Sequence, residues 1–246
     1  MTNDQRDMAA PQGLQAGASM GTPGSIEDAI AGRYEFDIGD VMSEAWRLVK
    51  GFKGTFWAAA ILIYLMALVS GFIWARISIA VFGVQHNGIG PAIFNGLIGT
   101  FMMPLFAGVT AMVVKRAAGM PVSFSTAFAY LGKVPVLAVA GLLTTLMTYL
   151  GFALLIIPGI YLAVAYVMTM PLIALNNLGA WQAMEISRKA IGRRWFDVFG
   201  LNLRVGLLVM LSALPLGIPL IWTMPWAALV VGVLYRRIFG LPAPDA

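Results

Sequence analysis

Residues 55–78 read TFWAAAILIYLMALVSGFIWARIS, and Arg76 is the only charge among them. At about 1.5 Å of rise per residue, a helix this long outreaches the ~30 Å hydrocarbon core of a bilayer. A helix on a water-soluble core would carry a polar stripe toward solvent, and this one has none. The segment therefore sets the class as a helix bathed in lipid.

The rest of the chain agrees. It has 246 residues, 60% hydrophobic and 11% charged, whereas a soluble domain carries about 25% charged residues to keep its surface wet. Further apolar runs lie at about 91–114, 134–157, 159–177, 196–216 and 219–235. The expectation is an all-α, polytopic membrane bundle of six spans over 34–238. Residues 1–33, rich in Gly, Ala, Gln, Ser and Pro, read as a flexible cytoplasmic tail with a short helical turn at 25–31. Residues 239–246 form a short C-terminal tail. The N-terminal stretch lacks the basic-then-apolar order of a signal peptide, so the first span is expected to act as the insertion signal.

Charge supplies the orientation. Arg47, Lys50 and Lys53 precede the first span. Lys115, Arg116 and Lys133 lie between the second and third, and Arg188, Lys189, Arg193 and Arg194 between the fourth and fifth. Arg236 and Arg237 follow the sixth, and the opposite side has Arg76 alone. Cytoplasmic loops carry such an excess of Lys and Arg, so both termini are expected in the cytoplasm. The same pattern explains the net charge of +5 without invoking nucleic acid. Trp57 and Trp195 then fall at the inner interface, and Trp74, Trp222 and Trp226 near the outer one.

Short amphipathic stretches precede each pair of spans. In 38–53, Ile38, Val41, Met42, Ala45, Val49 and Phe52 share one face, while Asp40, Glu44, Arg47 and Lys50 occupy the other. In 122–133, Phe124, Ala127, Phe128 and Leu131 line one side. In 180–194, Trp181, Met184 and Ile191 are apolar and Gln182, Glu185, Arg188 and Lys189 polar. All three read as interfacial helices. Met42–Val49 aligns without gaps on Met184–Ile191, pairing Ala45 with Ser187, so the order of amphipathic helix, span and span recurs as an architectural rhyme.

Residues 154–200 read LLIIPGIYLAVAYVMTMPLIALNNLGAWQAMEISRKAIGRRWFDVFG. With Pro158-Gly159, Tyr161, Pro171, Gly179, Ala183, Ser187 and Trp195, this stretch resembles uncharacterised bacterial inner-membrane proteins of the YciC-like group. It is also similar to the membrane domain fused to some glycerophosphodiester phosphodiesterases. The segment FDIGDVMSEAWRLVKGFKGTFW at 36–57 resembles the start of the same proteins. The resemblance spans about 34–238 and implies a multi-pass protein of the bacterial inner membrane. It supplies no catalytic residue, and the phosphodiesterase domain has no counterpart in this chain.

Chemistry-bearing residues are few. There is no cysteine, which excludes thiolate metal sites and thiol nucleophiles. Eight of the eleven acids precede residue 45 and none lies between Ala45 and Met184, so the first four spans carry no carboxylate. His86, the single histidine, reads as a solvated turn residue, since a metal site needs several donors. No catalytic, cofactor or metal residue is expected.

The residues expected to contact lipid or anions are Arg188, Lys189, Arg193, Arg194, Arg204, Arg47, Lys50 and Lys53. Lys and Arg on amphipathic helices each gain about 1 kcal/mol near an anionic leaflet, although the same charges also serve to orient spans. Arg204 lies inside an apolar run, where it either snorkels to the inner headgroups or lines an anion cavity with Arg193 and Asp197. Pro158, Gly159 and Pro171 are expected to shape the backbone. The function expected is that of a non-enzymatic inner-membrane protein contacting anionic lipid, or scaffolding a membrane-protein partner or homo-oligomer. A small transporter or permease subunit is the alternative.

Overall fold

The computed structural model describes residues 24–83 and 89–240, with the side chains of Phe82 and of 89–102 outside the description. His86 and the small-residue ridge of Ala92, Gly96 and Thr100 therefore lie outside the described residues. Among those described, the chain is entirely helical, with no strand.

Helix α1 (Ile26–Ala31) is the short turn expected at 25–31. Ser25 caps it by accepting from the Asp28 N–H, and Gly32 ends it at φ +78°, a left-handed conformation that costs glycine nothing. Then come α2 (Ile38–Val49), α3 (Lys53–Phe82) and α4 (Ile89–Ala117). Two 3₁₀ turns, Phe124–Phe128 and Leu131–Lys133, lead into α5 (Val134–Leu154). The chain closes with α6 (Ile156–Ala165), α7 (Thr169–Asn176), α8 (Ala180–Arg193), α9 (Trp195–Ala213) and α10 (Leu220–Phe239).

Four segments are long and apolar enough to cross a membrane: Lys53–Val81, Phe124–Leu154, Ile156–Asn176 and Trp195–Ala213. Ile156–Asn176 is not one continuous helix. Pro171 has no N–H to offer the Val167 carbonyl, so α6 stops, the chain turns at 166–168, and α7 restarts with Pro171 in its first turn. Ser187 of α8 repairs the break, accepting from the Met168 N–H at 3.2 Å and donating to the Ala165 carbonyl at 2.7 Å.

The amphipathic elements turn their apolar faces onto protein, where the interfacial reading expects lipid against them. Val41, Ala45, Val49 and Phe52 are buried, with α2 packed on α10 and α4. The second stretch is not an α-helix at all. Two separate 3₁₀ turns bury Ala127 and Tyr130 and leave Phe124 and Leu131 exposed. In α8 the buried face centres on Ala183, Ser187 and Ala190, while Trp181 is turned outward.

What recurs is the docking. The 3₁₀ turns sit on α4, α8 sits on α7, and α2 closes the circuit on α10. Small residues make the approach possible: Ala45, Ala127 and Ser187 are fully buried, and a Cβ at Gly108 of α4 would collide with the Ala127 carbonyl.

Some of the basic helix ends expected on one face do meet, while Arg193 and Arg194 lie beside Ile157, expected on the other. Arg116 donates to the Lys50 carbonyl at 2.9 Å, Lys133 to that of Ala174 at 3.0 Å, and Arg236 to that of Ala117. The Trp assignments fare differently. Trp226 is buried, donating to the Met42 carbonyl at 3.0 Å, so it is a packing residue and not an outer anchor. Trp57 donates to the Ile221 carbonyl at 2.9 Å, and the Lys53 ammonium lies 5.4 Å from the Trp222 ring centre. Residues expected on opposite faces of the bilayer are thus neighbours.

Candidate lipid-headgroup groove

The corner between α8 and α9 gathers several charges, and the sequence places them there through IGRRWFD at 191–197. Arg194 takes φ −130°, ψ 45°, which ends α8 and starts α9 within one residue. The two guanidinium groups are thereby turned apart. The Arg193 Nε donates to the Ile30 carbonyl at 3.1 Å, while its stem packs on Gly32, where a Cβ would sit 3.2 Å away. Arg194 pairs with Glu35 at 3.2 Å and with Asp197 at 3.6 Å.

Between these groups and α6 lies an open groove of about 880 Å³. One wall is apolar and aromatic, with Ile157, Tyr161, Trp195 and Phe196; the other holds Arg193, Arg194 and Asp197, with Gly32 at its floor. Trp195 is fixed by stacking on Tyr161 at 5.9 Å and on Phe199 at 4.9 Å, and its Nε1 donates to the Tyr161 carbonyl at 3.2 Å. Phe196 projects freely, 82% exposed. Behind the groove the Tyr34 hydroxyl donates to the Ala190 carbonyl at 2.8 Å, and burial pushes its pKa up to about 12, so it remains a donor at any physiological pH.

Of the expected contact residues, the structure brings Arg193 and Arg194 into this groove. Arg188 and Lys189 are exposed on the outer side of the same helix, Lys189 paired with Glu185 at 2.7 Å. Arg47, Lys50 and Lys53 form a separate basic edge where α2 meets α3. Arg204 does not join Arg193 and Asp197. It is exposed on α9 and makes no ion pair or hydrogen bond with a described residue. Asp197 pairs with Arg194 instead.

Pro158 occupies the first turn of α6, where its missing N–H is harmless. Gly159 lets that helix close on α5, because a Cβ there would collide with the Phe152 ring. Sequence reasoning missed Glu35 and Tyr161, which lie far from Arg194 in the chain. It also missed Ser187, although a hydroxyl centred in an apolar helix face is a visible signal. Among the described residues, no group of three His, Asp or Glu could hold a metal ion.

No protein-family model matches the chain, and neither a curated protein nor a solved structure does.

Proposed function

We propose that this chain is a multi-pass protein of the bacterial inner membrane that holds anionic lipid in a groove at a leaflet surface and performs no chemistry of its own. One observation carries the reading: the groove beside α9 sets Arg193 and Arg194 against the apolar wall of Ile157 and Phe196. A phospholipid presents the matching pair, a phosphate that accepts from guanidinium groups and acyl chains that need apolar cover. The outward Arg188 and Lys189 extend the positive field along α8. The YciC-like resemblance of 154–200 supports the inner membrane as its place.

The test is lipid retention in nanodiscs. Arg188→Gln with Lys189→Gln leaves the held corner intact and should weaken retention of phosphatidylglycerol about thirtyfold, given about 1 kcal/mol per basic residue near the leaflet. Adding Arg193→Gln and Arg194→Gln should abolish selectivity over phosphatidylcholine. Unchanged selectivity in the fourfold variant, with the protein still monodisperse, rejects the proposal.

A small permease subunit is the second reading. It draws on the broken helix at 166–168, which borders a groove of about 410 Å³ lined by Thr144, Thr145, Thr148 and Tyr166. Solute flux in proteoliposomes that Tyr166→Phe reduces would favour it.

A further inference from the structure

We propose that the groove beside α9 selects among anionic lipids by headgroup: it takes a phosphodiester whose head bears hydroxyls, as in phosphatidylglycerol, over the bare monoester of phosphatidic acid. The inference rests on the lipid-holding reading above and names the class of lipid that the same groove accepts.

The phosphate side comes first. Arg193 commits its Nε to the Ile30 carbonyl, and its two terminal nitrogens make no hydrogen bond or ion pair with a described residue. The Tyr161 hydroxyl lines the same groove and has no hydrogen-bond partner among the described residues either. A Cβ on Gly192 would stand 3.3 Å from that hydroxyl, so the glycine leaves it uncovered next to Arg193. Stacking on Trp195 holds the Tyr161 ring in place. A guanidinium and a phenol thus offer N–H and O–H donors to one oxyanion, and neither terminal group has an internal acceptor to give up.

The other side carries the opposite chemistry. Arg194 lies between two carboxylates, with Glu35 Oε1 at 3.2 Å and Asp197 Oδ2 at 3.6 Å. The second oxygen of each has no partner among the described residues, and Asp197 lines the groove. An ionised carboxylate can only accept, so a ligand satisfies it with a donor. The two arginines are matched by these two acids, which leaves no surplus charge at the corner to neutralise a dianion.

Together the two sides sort lipids. A phosphodiester brings one negative charge, and a glycerol head on it brings hydroxyls that donate to Asp197. A phosphate monoester carries about −1.5 to −2 at neutral pH and has no such head. Sites that hydrogen-bond a ligand hydroxyl reject ligands lacking it, and extra negative charge beside two carboxylates adds repulsion. The Asp197 side chain is half exposed. Water therefore screens both effects, and the expected preference is about tenfold.

The test equilibrates the full chain in phosphatidylcholine nanodiscs carrying phosphatidylglycerol and phosphatidic acid in equal amounts, with the same acyl chains. Mild detergent then strips loose lipid, and native mass spectrometry counts what stays bound. Wild type should keep phosphatidylglycerol about tenfold over phosphatidic acid. Asp197→Asn, alike in shape but uncharged, should bring the ratio toward one by raising phosphatidic acid. Tyr161→Phe should weaken both lipids alike, about fivefold, and leave the ratio intact. A wild-type ratio of one or less, with both lipids kept over phosphatidylcholine, overturns headgroup selection and leaves the lipid-holding reading standing. A tenfold ratio that survives in both Asp197→Asn and Glu35→Gln overturns the assignment to this corner. Retention of neither lipid over phosphatidylcholine overturns the lipid-holding reading and this inference with it.

Discussion

Helices α3 and α10 are both long and apolar, yet they live in different surroundings. Only 6% of the apolar window in α3 is buried, and Tyr64, Val69 and Phe72 are each more than half exposed. From Pro225 to Phe239 α10 is mostly buried, held between α2, α4 and α9. What separates them is fine detail rather than hydropathy. In α10, Gly232 meets the α4 backbone at Val113, Trp226 bonds to Met42, and Arg236 and Arg237 both grip Glu44. In α3, Gly71 has nothing within 4 Å of where a Cβ would stand. Apolar sequence marks a helix as shielded from water, and small residues with polar anchors decide whether protein or lipid does the shielding.

The contrast can be broken most forcefully by volume. Leu229 is fully buried and Leu65 is 50% exposed. Leu229→Ala should cost about 2–5 kcal/mol of stability in nanodiscs, and Leu65→Ala less than about 0.5 kcal/mol. Equal losses would mean that α3 is packed on protein after all. Gly232→Leu should cost about 3 kcal/mol through collision with Val113, whereas Gly71→Leu leaves the melting temperature unchanged.

Charge gives the next effect. Burial pushes the Glu44 carboxyl up, but hydrogen bonds and charge from Arg237 and Arg236 outweigh it, so its pKa lies below the ordinary 4.5. A depressed carboxyl stabilises above its unfolded value, and that contribution drains away as pH falls from 4.5 through the lowered one. Glu44→Gln should cost about 1–3 kcal/mol at neutral pH and flatten this acid limb, as read by thermal melts across pH. The smallest change is Trp226→Phe, about 1 kcal/mol for the lost bond to Met42, with no matching effect from Trp57→Phe on the α2–α10 contact.

The apolar character of the long helices is legible because hydrocarbon demands it of every residue along a run such as 55–78. The amphipathic faces are legible too: Val41, Ala45 and Val49 are buried as their spacing requires. What they face is not, since periodicity records which side avoids water and not whether lipid or α10 lies against it. Glu44 sits between Asp40 and Arg47 with nothing in the sequence to mark its partner, and Arg236 is 192 positions away. The groove is half visible. Arg193 and Arg194 announce themselves, whereas span counting puts Ile157 on the far side of the membrane and Glu35 lies 159 positions from Arg194. Trp57 and the start of α10 are separated for the same reason: charge rules order helix ends and are silent about which ends pack together.

Docking α2 onto α10 has a consequence for biogenesis. The platform for this helix leaves the ribosome long after it does, and translation at about 5–20 residues per second makes the wait between them of order tens of seconds. Until then Val41, Ala45 and Glu44 need a temporary host, such as a chaperone or the lipid surface. A product truncated before 220 therefore keeps α2 undocked and its apolar face recognisable to quality-control proteases.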